Sequence, residues 1–142
     1  MLTRIQIQRL VHRHGREIFE HEHMQIEKSC YQHGVVTTFA HSVRVACLAV
    51  WMADRLHLWY RVDLHSLIRA ALLHDYFLYD WHVGDPSHRL HGFRHPGFAC
   101  ANAERDFGIN DIERDMIRHH MFPLTPVPPT CREGAILCIA DK

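Results

Sequence analysis

Residues 70–81 of the chain read AALLHDYFLYDW, an apolar stretch in which a histidine and an aspartate, His74 and Asp75, stand side by side. Helical spacing is seen in the apolar residues that lead up to this pair, Leu67, Ala70, Ala71 and Leu72. A histidine and an aspartate are costly to bury in apolar surroundings unless they are paired or bound to a metal. The stretch therefore predicts an apolar helix that ends in two candidate metal ligands.

The hydrophobic pattern is helical along almost the whole chain, and no stretch of about four to eight residues alternates as a half-buried strand would. The pattern and the capping residues predict helices over about residues 3–14, 16–33, 37–58, 63–74, 96–107, 110–121 and 133–142. Segment 80–94 is expected to form an irregular loop, and the proline-rich segment 123–129 an extended one. These features predict an all-α domain of six or seven helices.

The composition of the 142-residue chain indicates one soluble domain, with 47% hydrophobic residues available for a core. Sixteen basic residues balance sixteen acidic ones, so the formal charge is zero. This balance removes the usual argument for a nucleic-acid polymer or a membrane surface as a partner. The sequence indicates no particular oligomeric state.

The sequence has five cysteines with no Cys-x-x-Cys pair among them, which argues against a disulfide framework and against a cysteine zinc finger. The first twenty residues are charged and amphipathic. The longest apolar-rich stretch, 43–53, is interrupted by Arg44 and is too short to span a bilayer. We therefore expect reduced thiols and a cytoplasmic protein.

Histidine is used in unusual number, fifteen in all. Seven of these residues stand among charged residues on predicted helices and are expected at the surface: His12, His14, His21, His23, His33, His57 and His65. Another set of histidines and aspartates stands mostly at helix starts and ends, where side chains can converge on one cavity: His41, His74, Asp75, His95, His119, His120 and Asp141. Imidazole and carboxylate ligands without thiolate suit Zn, Fe, Mn, Co or Ni rather than a structural zinc site.

The adjacent pair has a further property. Asp75 has two carboxylate oxygens and can bridge two cations, whereas His74 can bind only one. One bridging carboxylate with five other ligands is about what a two-metal site about 3.5–4 Å across requires, with positions left for water and substrate.

The ordered set His…His-Asp…Asp resembles the signature of the HD-domain metal-dependent phosphohydrolase superfamily. The matching positions are His41 in TFAHSVRVA, His74 and Asp75 in ALLHDYFLYD, and Asp141 in CIADK. The similarity extends from about residue 35 to the end of the chain. It implies a compact HD-domain helical bundle as a single domain, 1–142, with N-terminal helices over 1–34 and a metal-binding core over 35–142.

Two further blocks are similar to the additional ligands of the binuclear branch of the superfamily, which includes the HD-GYP cyclic-dinucleotide phosphodiesterases. They are His95 in GFRHPGFA and the pair His119-His120 in IRHHMFPLTP. Relatives usually continue with more helix after the final aspartate. We therefore expect a chain that stops at Lys142 to be incomplete at its C terminus or to lack a wall of the pocket.

Carried over position by position, the resemblance implies one metal held by His41, His74, Asp75 and Asp141. It implies a second metal that is bridged by Asp75 and held by His95 and His119. The role of His120 stays open between a third metal, a contact to substrate and the solvent, since neighbouring residues on a helix point about 100° apart.

The chain also departs from the pattern. HD-GYP proteins have a lysine a few residues after His-Asp, where this chain has Tyr79, and their tail motif is replaced here by MFPLTPVPP. Thr37 stands where some trinuclear relatives have a glutamate. We therefore expect two metals rather than three and do not carry over the cyclic-dinucleotide substrate.

The implied activity is that of an enzyme, a metal-dependent phosphomonoesterase or phosphodiesterase that acts on a small phosphorylated molecule or nucleotide. Two cations lower the pKa of a bound water, offer hydroxide at neutral pH and stabilise charge on the phosphoryl group. Asp75 is expected to be essential for catalysis. Three residues are candidates for holding a phosphate oxygen or assisting the leaving group: Arg44, Arg94 and Lys142. Arg44 lies one helical turn from His41.

Two other functions are consistent with the sequence. Some HD-fold proteins are di-iron oxygenases with the same ligand set, and the sequence does not separate them from hydrolases because the iron itself carries that chemistry. The second alternative is a metal-bound sensor or binding module without catalytic activity.

Overall fold

The computed structural model describes residues 1–22, 38–76 and 91–142, the last range by its backbone alone up to residue 95. Within these ranges it contains seven helices and no strand: α1 (Arg4–His14), α2 (Arg16–Glu20), α3 (Thr38–Arg55), α4 (Leu64–Leu73), α5 (His91–Phe107), α6 (Asp111–Arg118) and α7 (Arg132–Ala140). The prediction of an all-α fold is confirmed. None of the helices in these ranges is both long and apolar enough to cross a membrane.

Local sequence signals explain where several helices begin. The Asp63 side chain accepts the backbone N–H of Ser66 and caps α4. Asn110 and Glu113 form a capping box at α6, in which each side chain accepts the other residue's backbone N–H. Cys131 caps α7 through its sulfur, which accepts a backbone N–H from the first turn. These caps satisfy N–H groups that the start of a helix otherwise leaves unpaired.

Two helices differ from their predicted extents. The helix predicted over 16–33 ends at Glu20, because the chain becomes extended at His21 (φ −73°, ψ 139°). The remainder of that predicted helix, 23–33, lies outside the described residues. The helix predicted over 37–58 ends at Arg55, where the backbone enters the left-handed region at His57 (φ 56°) and the N–H of Leu58 returns to the carbonyl of Ala53.

The fifth helix begins at His91, so Pro96 lies inside it rather than at its start. Residues 91–94, which were expected in the irregular loop, are therefore helical, and the first part of that loop lies outside the described residues. A proline inside a helix removes one backbone hydrogen bond. The buried face that follows compensates for this loss by packing against the core, through Ala99, Cys100 and Ala103.

The core is built around α4, whose residues from Ser66 to Leu73 are all buried. This helix packs against α1, α3, α6 and α7. A helix that is apolar almost all round is stable only when other elements cover it on every side. Its enclosure places the two residues that follow, His74 and Asp75, in the interior at 0% and 1% exposure.

Arg69 is the charged member of this buried helix, and its guanidinium group joins three other parts of the fold. Nε donates to Glu113 of α6 at 3.1 Å, and Nη1 donates to Glu17 of α2 at 3.2 Å. Nη2 donates to the carbonyls of Phe107 and Gly108, between α5 and α6. A buried charge is tolerated when it is paired and hydrogen-bonded in this way.

We expect Gly15→Ala to lower the free energy of unfolding by about 1–3 kcal/mol, the usual cost of overpacking, as measured by urea titration. A Cβ atom at this junction of α1 and α2 would lie 2.4 Å from Cδ1 of Leu72 and 2.9 Å from the carbonyl oxygen of Val11. Gly97→Ala is the matched control, because a Cβ there meets no atom within 4 Å. The control should leave stability unchanged or raise it by up to about 1 kcal/mol, since alanine favours helix. Equal losses in the two variants would contradict the packing argument.

Removing the Arg69 charge should be costly, because Glu113 is only 2% exposed and would lose the cation with which it is paired. We expect Arg69→Met to lower the free energy of unfolding by about 3–5 kcal/mol. The double variant Arg69→Met/Glu113→Gln should recover part of the loss, since a neutral amide needs no cation and still accepts the N–H of Asn110. Urea titration of both variants gives the comparison, and a fully stable Arg69→Met protein would disprove the role of this ion pair.

Candidate metal centre

The ends of α4 and α7 meet the first turn of α3 and bring four candidate ligands together. His41 lies on α3, His74 and Asp75 directly follow α4, and Asp141 directly follows α7. One ligand atom from each residue lies within 4.8 Å of the others. The four form the set that the resemblance assigned to the first metal, and they include residues that are 100 positions apart in the chain. We call this set the metal cluster.

Asp141 contacts two imidazoles of the metal cluster. Its Oδ1 atom lies 2.8 Å from Nε2 of His41 and 3.2 Å from Nε2 of His74. The side chain of His74 is fully buried, and those of His41 and Asp141 are each only 11% exposed. With little water around them, charges here interact more strongly than they would at the surface.

Asp75 directs its two carboxylate oxygens at different imidazoles. Oδ2 lies 3.3 Å from Nε2 of His74 and 3.7 Å from Nε2 of His41. Oδ1 lies 3.4 Å from Nε2 of His120, which is outside the four-residue cluster. The carboxylate therefore contacts the metal cluster through one oxygen and a further imidazole through the other, as a ligand that bridges two cations does.

Backbone carbonyls determine which nitrogen is protonated in two of these rings. Nδ1 of His74 lies 2.6 Å from the carbonyl oxygen of Ala71, and Nδ1 of His120 lies 2.7 Å from that of Ile117. A carbonyl oxygen can only accept, so each Nδ1 carries a proton and donates it. In the neutral ring, Nε2 then has a lone pair that faces a carboxylate. A lone pair and an anionic oxygen repel unless a proton or a metal cation lies between them.

The electrostatics of the metal cluster favour positive charge. Burial by itself lowers the pKa of His74, but the negative charges of Asp75 and Asp141 outweigh it and raise that pKa well above its ordinary value. Burial likewise opposes ionisation of Asp141. The charge of His74 and the hydrogen bonds from His41 and His74 overcome it and lower the pKa of the Asp141 carboxyl well below its usual range. The carboxylates that stabilise a protonated imidazole would equally attract a cation.

The residues of the cluster fit a divalent transition metal. They supply two imidazole nitrogens and two carboxylates, a donor set suited to Zn, Fe, Mn, Co or Ni. The lone pairs on Nε2 and the anionic oxygens converge on one small, nearly dry volume, where a cation relieves their mutual repulsion. Hydrogen bonds from Nδ1 to backbone carbonyls are the usual way in which a protein orients an imidazole ligand.

The adjacent histidines after α6 lie in different environments. His120 is fully buried, and its ring packs edge-on against that of His74 with the centroids 4.8 Å apart. His119 is 26% exposed in its side chain, and its Nε2 lies 3.8 Å from a carboxylate oxygen of Asp115. The resemblance implies that His119 holds the second metal and leaves the role of His120 open, whereas it is His120 whose ring lies beside Asp75 in the structure.

The other predicted site residues lie around or beyond the cluster. Lys142 donates from Nζ to the carbonyl of His120 at 3.4 Å, so its ammonium group is close to the site. Arg44 is exposed and lines a cavity between α1 and α3. The described side chains do not include four residues that the sequence analysis discussed: Thr37, Tyr79, Arg94 and His95.

The histidines predicted at the surface divide into three groups. His12, His57 and His65 are exposed, and His14 and His21 are partly buried. The other two, His23 and His33, lie outside the described residues. Nothing in the sequence indicated that His14 and His65 would meet, yet their Nδ1 atoms are 2.9 Å apart across 51 residues of chain.

The fold and the site together define an all-α domain with a buried His/Asp cluster that could hold a metal ion. The model of the HD domain family matches residues 38–142, a range that contains α3 to α7 and the whole metal cluster, and the chain belongs to this family. Its members bind divalent metals and are largely metal-dependent phosphohydrolases. No curated protein and no solved structure matches the chain significantly.

We expect His120→Ala to lower the affinity for added Mn²⁺, or to remove part of the bound metal, because its Nε2 faces the second oxygen of Asp75. The loss should be at least about tenfold in affinity, the size of effect seen when groups around a metal site are removed. His119→Ala is the matched control and should leave affinity and stoichiometry unchanged. Metal content after dialysis, measured by mass spectrometry, compares the two variants. A larger loss of metal affinity in His119→Ala than in His120→Ala would instead support His119 as the ligand of the second metal.

Proposed function

We propose that the chain is a metal-dependent phosphohydrolase, a phosphomonoesterase or phosphodiesterase that acts on a small phosphorylated molecule or nucleotide. The observation that carries this proposal is the position of Asp75, whose two buried oxygens lie 3.3 Å and 3.4 Å from the Nε2 atoms of His74 and His120. A carboxylate placed in this way suits a two-cation site, which is a common arrangement in phosphatases and nucleases. Membership of the HD domain family supports the same reaction class.

The proposed ligands fall into two sets that share Asp75. The first metal is held by the metal cluster: His41, His74, Asp75 and Asp141. The second is held by Asp75 together with His120, and His95 is proposed as a further ligand on the strength of the resemblance alone. His119 is left out of the second set, since its ring lies beside Asp115.

When bound, the cations supply a water of lowered pKa and stabilise charge on the phosphoryl oxygens. The chain orients the ligands that hold them, because the Nδ1 hydrogen bonds of His74 and His120 keep each Nε2 facing the carboxylates. Lys142 places a positive charge beside His120, where it can bind a phosphate oxygen of the substrate. The equivalent role for Arg44 stays a prediction from the sequence.

We expect Asp75→Asn to reduce the rate of hydrolysis of bis(p-nitrophenyl) phosphate and p-nitrophenyl phosphate by at least about a hundredfold. Removing a residue that only orients a metal ligand costs up to about a hundredfold, and Asp75 is proposed to be a ligand itself. The amide has one oxygen and no charge, so it cannot bridge two cations. Assays of Mn²⁺- and Fe²⁺-loaded protein, with metal content measured in parallel, test this expectation. Asp111→Asn is the control, because the Asp111 side chain is fully exposed on α6 and should affect neither quantity.

Other outcomes of the same assays would overturn the proposal. Turnover that is equal with and without dioxygen agrees with hydrolysis, whereas product that forms only in its presence would indicate an oxygenase. Stable metal binding with no turnover of either ester or of a panel of phosphorylated metabolites would indicate a sensor or binding module.

A further inference from the structure

A cavity of about 700 Å³ lies between α1 and α3, and no residue of the metal cluster lines it. Its walls are largely apolar and include Ile7 and Leu2 from the N-terminal part of the chain, and Val43, Leu48 and Trp51 from α3. Sites for small molecules have volumes of about 300–1,000 Å³ and predominantly apolar walls. We call this feature the α1–α3 cavity.

Three arginines line the α1–α3 cavity, Arg4, Arg44 and Arg55, and none of its other described lining residues is acidic. Among the residues that the structure describes, none of the three has an ion-pair partner. Asp54, the acidic residue of α3, accepts the backbone N–H of Leu2 at 2.9 Å. Three positive charges around one opening, with no carboxylate among the described residues of its walls, favour an anion.

The mouth of the α1–α3 cavity also exposes large apolar side chains. Trp51 is 43% exposed and Leu48 is 40% exposed. The guanidinium carbon of Arg55 lies 5.4 Å from the centre of the Trp51 ring, so charge and apolar surface are adjacent. Covering these side chains with an apolar ligand would be favourable, because it removes their surface from water.

The arginines and the apolar side chains of the α1–α3 cavity together favour one class of ligand. A small anion such as phosphate would leave the apolar walls in contact with water, and a neutral hydrocarbon would leave the arginines without a counter-ion. A protein partner usually needs about 1,000 Å² or more of buried surface, whereas the cavity has the volume of a small-molecule site. We propose that the α1–α3 cavity binds a fatty-acid-like anion, a single alkyl chain that ends in a carboxylate.

Isothermal titration calorimetry of the full chain with dodecanoate, kept below its critical micelle concentration, tests this site. One saturable site is expected. Dodecanol lacks the charge and butanoate lacks the long chain, so each should bind at least about tenfold more weakly, a loss of about 1.4 kcal/mol. Equal affinity for dodecanol would show a purely apolar site, and equal affinity for butanoate would show a simple anion site. Either result would overturn the proposal.

The double variant Arg4→Glu/Arg55→Glu should weaken dodecanoate binding by at least about tenfold, since it reverses two of the three charges at the opening. Arg118→Glu/Arg132→Glu is the matched control: it makes the same change in net charge on exposed residues of α6 and α7 that do not line this cavity. The control should retain binding within about threefold, because distant exposed charges are largely screened. Equal losses of dodecanoate affinity in the two double variants would show that net positive charge, and not this cavity, attracts the anion.

A membrane surface is the remaining alternative occupant. Co-sedimentation with vesicles of phosphatidylcholine and phosphatidylserine tests it. Vesicle binding that depends on Arg4 and Arg55, combined with no binding of dodecanoate, would show that this face contacts lipid head groups and would overturn the proposal. The proposal is independent of the metal cluster, so loss of phosphohydrolase activity would leave it standing.

Discussion

The metal cluster contains two carboxylates that require positive partners, and much of the fold is arranged around that requirement. Asp141 lies between the imidazoles of His41 and His74, and Asp75 is almost completely buried beside them. An unpaired charge in this position would be strongly destabilising. Three helices therefore have to end or begin at the same point, and α4, which is buried from Ser66 to Leu73, brings the central His-Asp pair there. Packing of the core and assembly of the metal cluster are thus achieved by the same contacts.

A second buried charge on α4 extends this arrangement to α6. Arg69 pairs with Glu113 at the start of α6, and the same helix leads at its other end to His120, which faces Asp75. The ion pair and the capping box at Asn110 determine where α6 lies against α4. The position of the His120 imidazole beside Oδ1 of Asp75 therefore depends on contacts that Asn110 and Glu113 make at the opposite end of α6.

The fold class and the four residues of the metal cluster were accessible from the sequence, because a polar pair inside an apolar helix and an ordered set of ligands are both strong signals. The choice between His119 and His120 was not accessible in the same way. It depends on where α6 ends: the helix stops at Arg118 and the backbone leaves helical geometry at His119 (φ −114°, ψ 14°), so helical periodicity does not tell which ring faces inward. The start of α5 before Pro96 and the early end of α2 at Glu20 are similar cases, because local propensity is a weak guide to where a helix begins or ends.

The carbonyls of Ala71 and Ile117 belong to the last turns of α4 and α6, where backbone oxygens have no N–H available from a following turn. The imidazoles of His74 and His120 donate to these oxygens, so each side chain satisfies a carbonyl at the C-terminal end of a helix and is also a candidate ligand. Aspartate or glutamate at either position would offer oxygen to a metal but no proton to the carbonyl. Exchange of ligand type at these two positions is therefore restricted by helix termination, independently of which metal is bound.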